Sequence, residues 1–421
     1  MVDVITPSSP AYELYRHVYT ARGNPGHVYV PKNAEEVSAA LGMTLAGHRE
    51  LSIRSGGHGI SSVSTNEDGI VIDLRRLDRV ERLDDTRVRI GPGARWGSIA
   101  HQLEPWGLAI SSGDSGDVGV GGLATTGGIG LMGRAHGLTI DRLRAAEIVT
   151  ADGSIHRVDD AHDPDLFWAI RGAGANVGIV TSFEFDASVA SKVVQGTLFF
   201  GIPDVAHFLH LWGEILESSP REISAFLYIA AGPVAQAQAT IVYADSDEEA
   251  AREAMKDFLA LPGLVQQQIA VVPYSSVPIT TGDPHAGQQG AHTHSGLLDH
   301  LDTTTSRVLA EHLADAAVDM IMVRSVGGAI NDVEEMATAY AHRHQNFSIM
   351  SVSMIGGEPF DRAWKPAYQL MDGMYLSFET AHKPGHIEDA FPPKTLERLR
   401  SIKAERDPEN IFHQNFGVAL R

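Results

Sequence analysis

The sequence contains no cysteine. That removes disulfides, thiolate metal sites and cysteine nucleophiles at once, and it suits either redox environment. Long hydrophobic runs are also missing: nothing reaches the ~18 apolar residues that a membrane span needs. The opening stretch, Met1 to Pro7, has neither a basic start nor an apolar signal core, so a cytoplasmic location is expected rather than export. Positive charge is in deficit, with a net charge of -20. Nucleic acids and anionic membranes need a basic face, so neither is expected as a partner. No glycine run ends in Gly-Lys-Ser/Thr, which excludes a Walker phosphate loop. There is no solenoid repeat and no low-complexity tail.

What is present is material for a large core. The chain has 421 residues, 43% hydrophobic and 20% charged, enough for two or three folding units. Helix, turn and strand signals open the chain: a helix within residues 1–25, a turn at Gly23-Asn24-Pro25-Gly26, and a strand from His27 to Pro31. Asn33 is placed to cap a helix with Glu35 and Glu36 in its first turn. Leu51 to Arg54 is the next strand, and it runs into Ser55-Gly56-Gly57-His58-Gly59. Backbone without Cβ atoms can approach a phosphate closely with its N–H groups pointing at the anion. Arg54 adds a cation and His58 an imidazole to the same turn.

A second glycine-rich stretch spans Gly113–Gly137, and a third runs from Arg171 to Gly178. At ~1 kcal/mol per glycine against alanine, such density does not make a stable exposed helix. Yet Val, Leu and Ile alternate with the glycines. A backbone packed against a flat ligand explains both facts, and so does a tight turn between core elements. The spacing in Val118-Gly119-Val120-Gly121-Gly122 does not match the Gly-x-Gly-x-x-Gly fingerprint that follows the first strand of a doubly wound dinucleotide fold. A dinucleotide here needs another architecture.

Leu143–Thr150 and Ser154–Val158 flank an Asp152-Gly153 turn and read as a hairpin. Near Ala187 the glycine clusters end. Amphipathic helices (Val205–Leu216, Glu248–Leu259, Arg307–Ala314, Trp364–Met374) then alternate with strands (Ser224–Ala230, Gln238–Tyr243, Asp319–Arg324, Ser348–Ile355). This predicts an α+β unit with a mostly antiparallel sheet. The expected organisation is 1–187, 188–384, and a returning segment 385–421 that packs on the first unit. His285, His292, His294 and His300 fit no standard metal spacing and read as a solvated polar loop, so no metal is expected.

Arg54-Ser55-Gly56-Gly57-His58 resembles the flavin-attachment motif of FAD-linked oxidases of the vanillyl-alcohol oxidase superfamily, berberine-bridge-enzyme-like branch. Gly119 to Gly130 with Arg134 to Asp141, then Asp165 to Val180, then Asp407-Pro408-Glu409-Asn410-Ile411-Phe412 and Asn415, are similar to its further signatures. The resemblance implies the two-domain FAD-binding fold of that superfamily, with an antiparallel-sheet substrate domain. It implies FAD held by Arg54, Ser55, Gly56, Gly57, His58, Gly59, Ser115, Val118, Gly119, Gly121, Gly122, Thr126, Gly130, Ile179, Val180 and Asn415. His58 would carry the flavin covalently. Many members form a second link through a cysteine; that position is Ser115 here, so a single link is expected.

A Val at position 118 goes, in the family, with dioxygen access, which implies an oxidase releasing hydrogen peroxide. A small organic substrate, an alcohol or sugar hydroxyl carbon, would give up a hydride. A cyclic amine or secondary metabolite, a dehydrogenase with another acceptor, and a non-catalytic flavin protein are the alternatives. Self-association is compatible with the sequence. The family's Tyr-x-Asn-Tyr element reads Tyr375-Leu376-Ser377-Phe378, losing its second tyrosine. Tyr375 is the first candidate base or anchor, against a buried structural tyrosine; Arg324 and Glu358 are the other candidate catalytic residues, and His342 and Arg343 read as structural.

Overall fold

The computed structural model describes residues 2–190, 192–281, 290–381, 383 and 385–418. The N-terminal region forms no α-helix. Asp3–Ile5 (β1) pairs antiparallel with His27–Val30 (β2), and only a 3-10 turn at Tyr12–Tyr15 lies between them. Next comes Ala34–Ala46 (α1), where the Asn33 side chain accepts from Glu36 N at 2.8 Å. This cap satisfies one of the helix's orphan donors, as the sequence predicts. Leu51–Arg54 (β3) and Ile70–Asp73 (β4) complete a four-stranded sheet in the order β1-β2-β4-β3, parallel from β2 onward.

A second sheet contains Val80–Arg82 (β5) and Arg87–Ile90 (β6). After Trp96–Leu103 (α2), Leu108–Ala109 (β7), and the short helical turns Val120–Leu123 (α3) and Gly133–His136 (α4), Leu143–Val149 (β8) and Ile155–Asp159 (β9) form the expected hairpin. Gly153 turns it at φ +81°. Pro164–Ala173 (α5) follows, capped by Asp163, and then Ile179–Asp186 (β10), which sits at the centre of β5-β6-β10-β8-β9.

Three of these strands are joined across the sheet surface by Glu184, which receives hydrogen bonds from Arg157 at 2.7 Å and Arg89 at 2.9 Å. The Arg157 hydrogen bond, with Arg89 and against the cost of burial, holds the Glu184 carboxyl down to about 2 from 4.5. Since the folded value is the lower one, this stabilisation is complete above pH 4.5 and is lost as pH falls through about 2. Glu184→Gln should therefore melt below wild type at neutral pH, with the gap closing on acidification across that window. Melting temperatures of both proteins along a pH series check this; a gap independent of pH would contradict it.

Ser188–Val189 (β11) pairs with β7. The chain then builds an entirely antiparallel seven-stranded sheet, ordered β15-β12-β14-β13-β17-β18-β16. Its strands are Lys192–Ile202 (β12), Ile223–Ala230 (β13), Ala235–Tyr243 (β14), Leu264–Pro273 (β15), His292–Leu298 (β16), Met320–Ser325 (β17) and Phe347–Ser353 (β18). The sequence reading missed three of the seven: β12, and the two edge strands β15 and β16. Its polar histidine loop is in fact β16, and His294 is buried there, bonded to Glu379 at 3.1 Å and to Asp361 at 2.9 Å. His300 is exposed against Glu217, and His285 lies outside the described residues.

The period of two sorts each strand onto two faces. Ile223, Ala225, Leu227 and Ile229 of β13 join Ile321, Val323, Phe347 and Ile349 against the helices Val205–Ser218 (α6), Glu248–Leu259 (α7), Thr303–Leu313 (α8) and Gly357–Tyr368 (α9). The last of these begins earlier than the expected Trp364 and stops before Met374. On the other face, Phe226, Val242 and Leu297 meet Ile129, Leu131 and Met132 of the glycine-rich stretch. That face is turned toward the glycine-rich stretch and the turn that follows it, through Leu138 and Ile140. Among the described residues no helix is long and apolar enough to cross a membrane.

Beyond α9, His386–Ala390 (α10) and Pro393–Arg406 (α11) bring the chain back. Leu396, Leu399 and Ile402 pack with Leu166, Phe167 and Ile170 of α5 in the same core as Val180 and Phe183. Arg343 braces the interface by a bidentate pair with Asp141, at 2.8 and 2.9 Å. This geometry is stronger than a single ion contact. His342 Nε2 donates to Ala390 O at 3.2 Å, and burial pushes its imidazole down to about 4.

Candidate active site

The turn after β3 and the turn before α3 interlock. A Cβ on Gly56 would lie 2.4 Å from Gly119 N, and one on Gly119 would lie 2.1 Å from Gly56 N. No side chain fits at either position, so two backbones meet directly. Ser55 staples them, donating to Pro92 O at 2.5 Å and accepting from Gly121 N at 3.1 Å. Arg95 adds bonds to Asp117 O and Gly56 O. Further along each turn the surface opens: beside Gly59 and Gly122, no heavy atom lies within 4 Å of the place a Cβ would take. Gly57 holds φ +66° between them, its carbonyl accepting from Tyr19 N at 2.8 Å.

His58 stands at the end of this turn with its ring stacked on Tyr19, centroids 3.9 Å apart and planes 21° apart. The stack fixes the imidazole plane. Ser115 and Val118 lie across in the second turn, both partly buried, with Val118 O accepting from Trp96 N. Thr126 bonds Gly122 O at 3.0 Å and Ser377 Oγ at 2.9 Å. Gly130 is packed inside, where a Cβ would meet Ser111 Oγ at 2.4 Å. Asn415 returns on the C-terminal segment with its Oδ1 buried and unpartnered.

Arg54 departs from expectation. Its guanidinium is 2% exposed and turned inward, donating to Tyr15 O at 2.7 Å and Ser64 O at 3.0 Å and pairing with Asp73 at 3.4 Å. A buried charge needs these partners. Its Nε and Nη1 are used in holding the strand end, while Nη2 is buried without a hydrogen-bond partner. Ile179 and Val180 likewise put their side chains into the core at the start of β10.

The three substrate-side candidates separate. Glu358 stands on the first turn of α9 behind the sheet, 90% exposed and facing Arg362. It is not part of the site, which corrects the expectation that it lies near the flavin. Tyr375 is buried, its hydroxyl accepting from Gly128 N at 3.1 Å and its ring against Tyr340 and Gly127. Arg324 does face the glycine-rich stretch. It bonds Asp114 at 3.3 Å, lies 4.2 Å over the Phe378 ring, and keeps Nε and Nη1 buried without hydrogen-bond partners.

Two residues not singled out from sequence complete this group. Tyr228 on β13 donates its hydroxyl to Asp114 Oδ2. Asp114 belongs to the loop that leads into Ser115. The alternation in β13 carried a signal for Tyr228, since it shares the face of Phe226 and opposes that of Leu227 and Ile229. Nothing local marked Asp114, because its partners are more than a hundred residues away.

The open surface on two interlocked glycine turns, the oriented imidazole and the unsatisfied Asn415 amide fit a flat, phosphate-bearing ligand. Residues 25–159 match the FAD binding domain family. The chain is therefore an FAD-linked oxidoreductase. This accords with the resemblance of its motifs to FAD-linked oxidases of the vanillyl-alcohol oxidase superfamily, berberine-bridge-enzyme-like branch. It is 26% identical over 446 residues to (R)-6-hydroxynicotine oxidase of Paenarthrobacter nicotinovorans, covering 99% of this chain and 96% of that protein. Its fold matches xylooligosaccharide oxidase from Myceliophthora thermophila, solved with xylobiose, at a TM-score of 0.87 and 25% identity over 100% of this chain and 97% of the other. It also matches glucooligosaccharide oxidase from Acremonium strictum, described with 6-S-cysteinyl, 8α-N1-histidyl FAD, at 0.86 and 24% over 100% and 97%.

Proposed function

We propose that this protein is an oxidase of small neutral polyhydroxyl substrates, taking a hydride from a hydroxyl-bearing carbon onto FAD held by one covalent bond to His58. Residues 1–187 and 385–421 would form the FAD-binding domain and 188–384 the substrate domain, working in the cytoplasm. FAD supplies the two-electron acceptor, with dioxygen regenerating it and leaving as hydrogen peroxide.

One observation carries the substrate class. Two registered rows cross the sheet face that looks at the glycine turns: Gln268-Thr197-Thr240-Phe226-Arg324-Ser348 and Gln266-Phe199-Gln238-Tyr228-Met322-Met350. Amides, hydroxyls and aromatic rings serve hydroxyl groups and sugar rings. Arg324 is the one formal charge in the rows, and Asp114 already matches it. A cationic amine finds no spare carboxylate there. Xylobiose, a glucooligosaccharide and 6-hydroxynicotine, each tested for anaerobic bleaching of the flavin and for peroxide in air, test the reading. Bleaching by the sugars supports it, and bleaching by 6-hydroxynicotine alone would replace it with amine oxidation.

His58 has the setting for the single link: an imidazole held flat by Tyr19, with a hydroxyl at Ser115 where a second, thiolate link would need sulfur. Val118 would leave the approach of dioxygen open. Val118→Leu adds one methylene there and is expected to slow reoxidation by dioxygen about tenfold or more, roughly 1.4 kcal/mol, while leaving reduction by substrate unchanged. Stopped-flow measurement of the two half-reactions checks this. Equal reoxidation rates would remove Val118 as the gate.

A further inference from the structure

If the substrate gives up a hydride from a hydroxyl-bearing carbon, something must accept the hydroxyl proton, and the expected acceptors do not serve. Phe378 has no ionisable group. Tyr375 is turned to the backbone of Gly128, and Glu358 is on the far side of the sheet. We infer that Tyr228 and Asp114 form the proton-accepting pair, with Arg324 as the positioning residue. This rests on the hydroxyl-oxidase reading above.

The geometry is that of a relay. Tyr228 stands in the middle of the face turned to the glycine turns, between Gln238 and Met322 on the neighbouring strands. Its hydroxyl donates to Asp114 Oδ2, and Arg324 Nη2 donates to the same oxygen at 3.3 Å. In the step, the substrate O–H bond breaks and its proton goes to Tyr228 Oη, while the Tyr228 proton passes to Asp114. The C–H bond breaks with its electron pair leaving as hydride to FAD, the oxidant. A carbonyl product and one protonated carboxyl remain on the substrate and protein sides.

The charges around the pair agree with these roles. Burial alone would raise the Asp114 carboxyl, but the Arg324 charge and the Tyr228 hydrogen bond bring it below its ordinary value, so it starts as a carboxylate. Burial and the Asp114 charge raise the Tyr228 phenol, so it starts protonated. Among the described residues, the other ionisable groups beside the pair are Tyr19, raised by burial and by Asp114 and Asp117, and Asp117 itself, which accepts from Thr281 N and Oγ1. Arg324 is held by the Phe378 and Phe226 rings at 4.2 and 5.3 Å. Phe378, which stands in place of the second tyrosine of the family's element, thus supports the cation.

Two measurements on the FAD-loaded protein test the pair. In ultraviolet titration without substrate, wild type should show one more late-ionising phenol than Tyr228→Phe, and Asp114→Asn should bring that phenol to lower pH. Coincident wild-type and Tyr228→Phe curves would overturn the assignment. In anaerobic reduction by xylobiose and a glucooligosaccharide, Tyr228→Phe should be slowed about 10²-fold or more, the ordinary span of general-base catalysis, while dithionite bleaches both proteins alike. Tyr228→Phe reduced at the wild-type rate would overturn the pair alone. A wild-type flavin bleached by dithionite but by neither sugar would overturn the hydroxyl-oxidase reading and the pair with it. Arg324→Gln should move the pH profile of reduction; an unmoved profile would remove Arg324 as the positioning residue.

Discussion

His58→Ala protein, precipitated in acid, is expected to leave all of its flavin in the supernatant, whereas the wild-type pellet stays yellow. The expectation follows from the count of nucleophiles. The chain has no cysteine, Ser115 stands where a thiolate would be needed, and His58 is the imidazole in the open turn between Gly56 and Gly59. The variant should still bind FAD, because the interlocked backbones of Gly56 and Gly119 and the Ser55 staple do not depend on the ring. Without the tether, reduction by substrate should slow about tenfold or more, roughly 1.4 kcal/mol in the barrier, since a histidyl link makes the flavin a better hydride acceptor. A yellow pellet from His58→Ala would place the link elsewhere. Tyr19→Ala, which removes the stacking partner at 3.9 Å, should attach flavin more slowly but completely.

The second large effect is expected far from the turn, at Lys403. Its ammonium and the Asp407 carboxylate are both fully buried and 2.6 Å apart. Lys403 also donates to Asn176 O at 3.1 Å and Phe412 O at 2.5 Å, while Asp407 accepts from Ile411 N and Phe412 N, each at 2.8 Å. One ion pair thus closes the turn after α11 and ties it to the loop before β10. Lys403→Met would leave a buried carboxylate with its backbone donors but no counter-charge. Removing one partner of a buried pair costs about 3–5 kcal/mol, and the denaturant midpoint should fall accordingly. FAD retention should fall too, because Asn415 lies three residues beyond Phe412. A change under about 1 kcal/mol would mean that water enters and solvates Asp407.

Lys403 also shows what local pattern conveys and what it does not. Asp407-Pro408-Glu409-Asn410-Ile411-Phe412 was legible as a signature, and nothing local singled out Lys403 four residues earlier. Only the docking of α11 on α5, together with the approach of Asn176, buries both charges and makes the signature a hub. Arg54 went the other way. Beside a glycine turn it reads as a phosphate cation, yet the guanidinium is turned inward, with Nε and Nη1 taken by Ser64, Tyr15 and Asp73, the last brought in by the parallel pairing of β3 with β4.

By itself, the sequence determined the features that depend on neighbours a few residues apart. These are the Asn33 and Asp163 caps, the Gly153 hairpin, the glycine turns that no side chain would fit, the lack of any sulfur nucleophile, and the two-sided strands of an antiparallel sheet. Caps, turns and alternation act over two to four residues, so they are written locally. Tertiary structure alone decided which residues meet. It put Tyr228, Arg324 and Asp114 together, with Asp114 lying 114 and 210 residues from its two partners, sent Glu358 to the back of the sheet, and set His294 into β16 between two carboxylates. The physical reason is register. A one-residue change in strand pairing exchanges the faces of a sheet, and that choice is made by the packing of the whole core rather than by any segment of it.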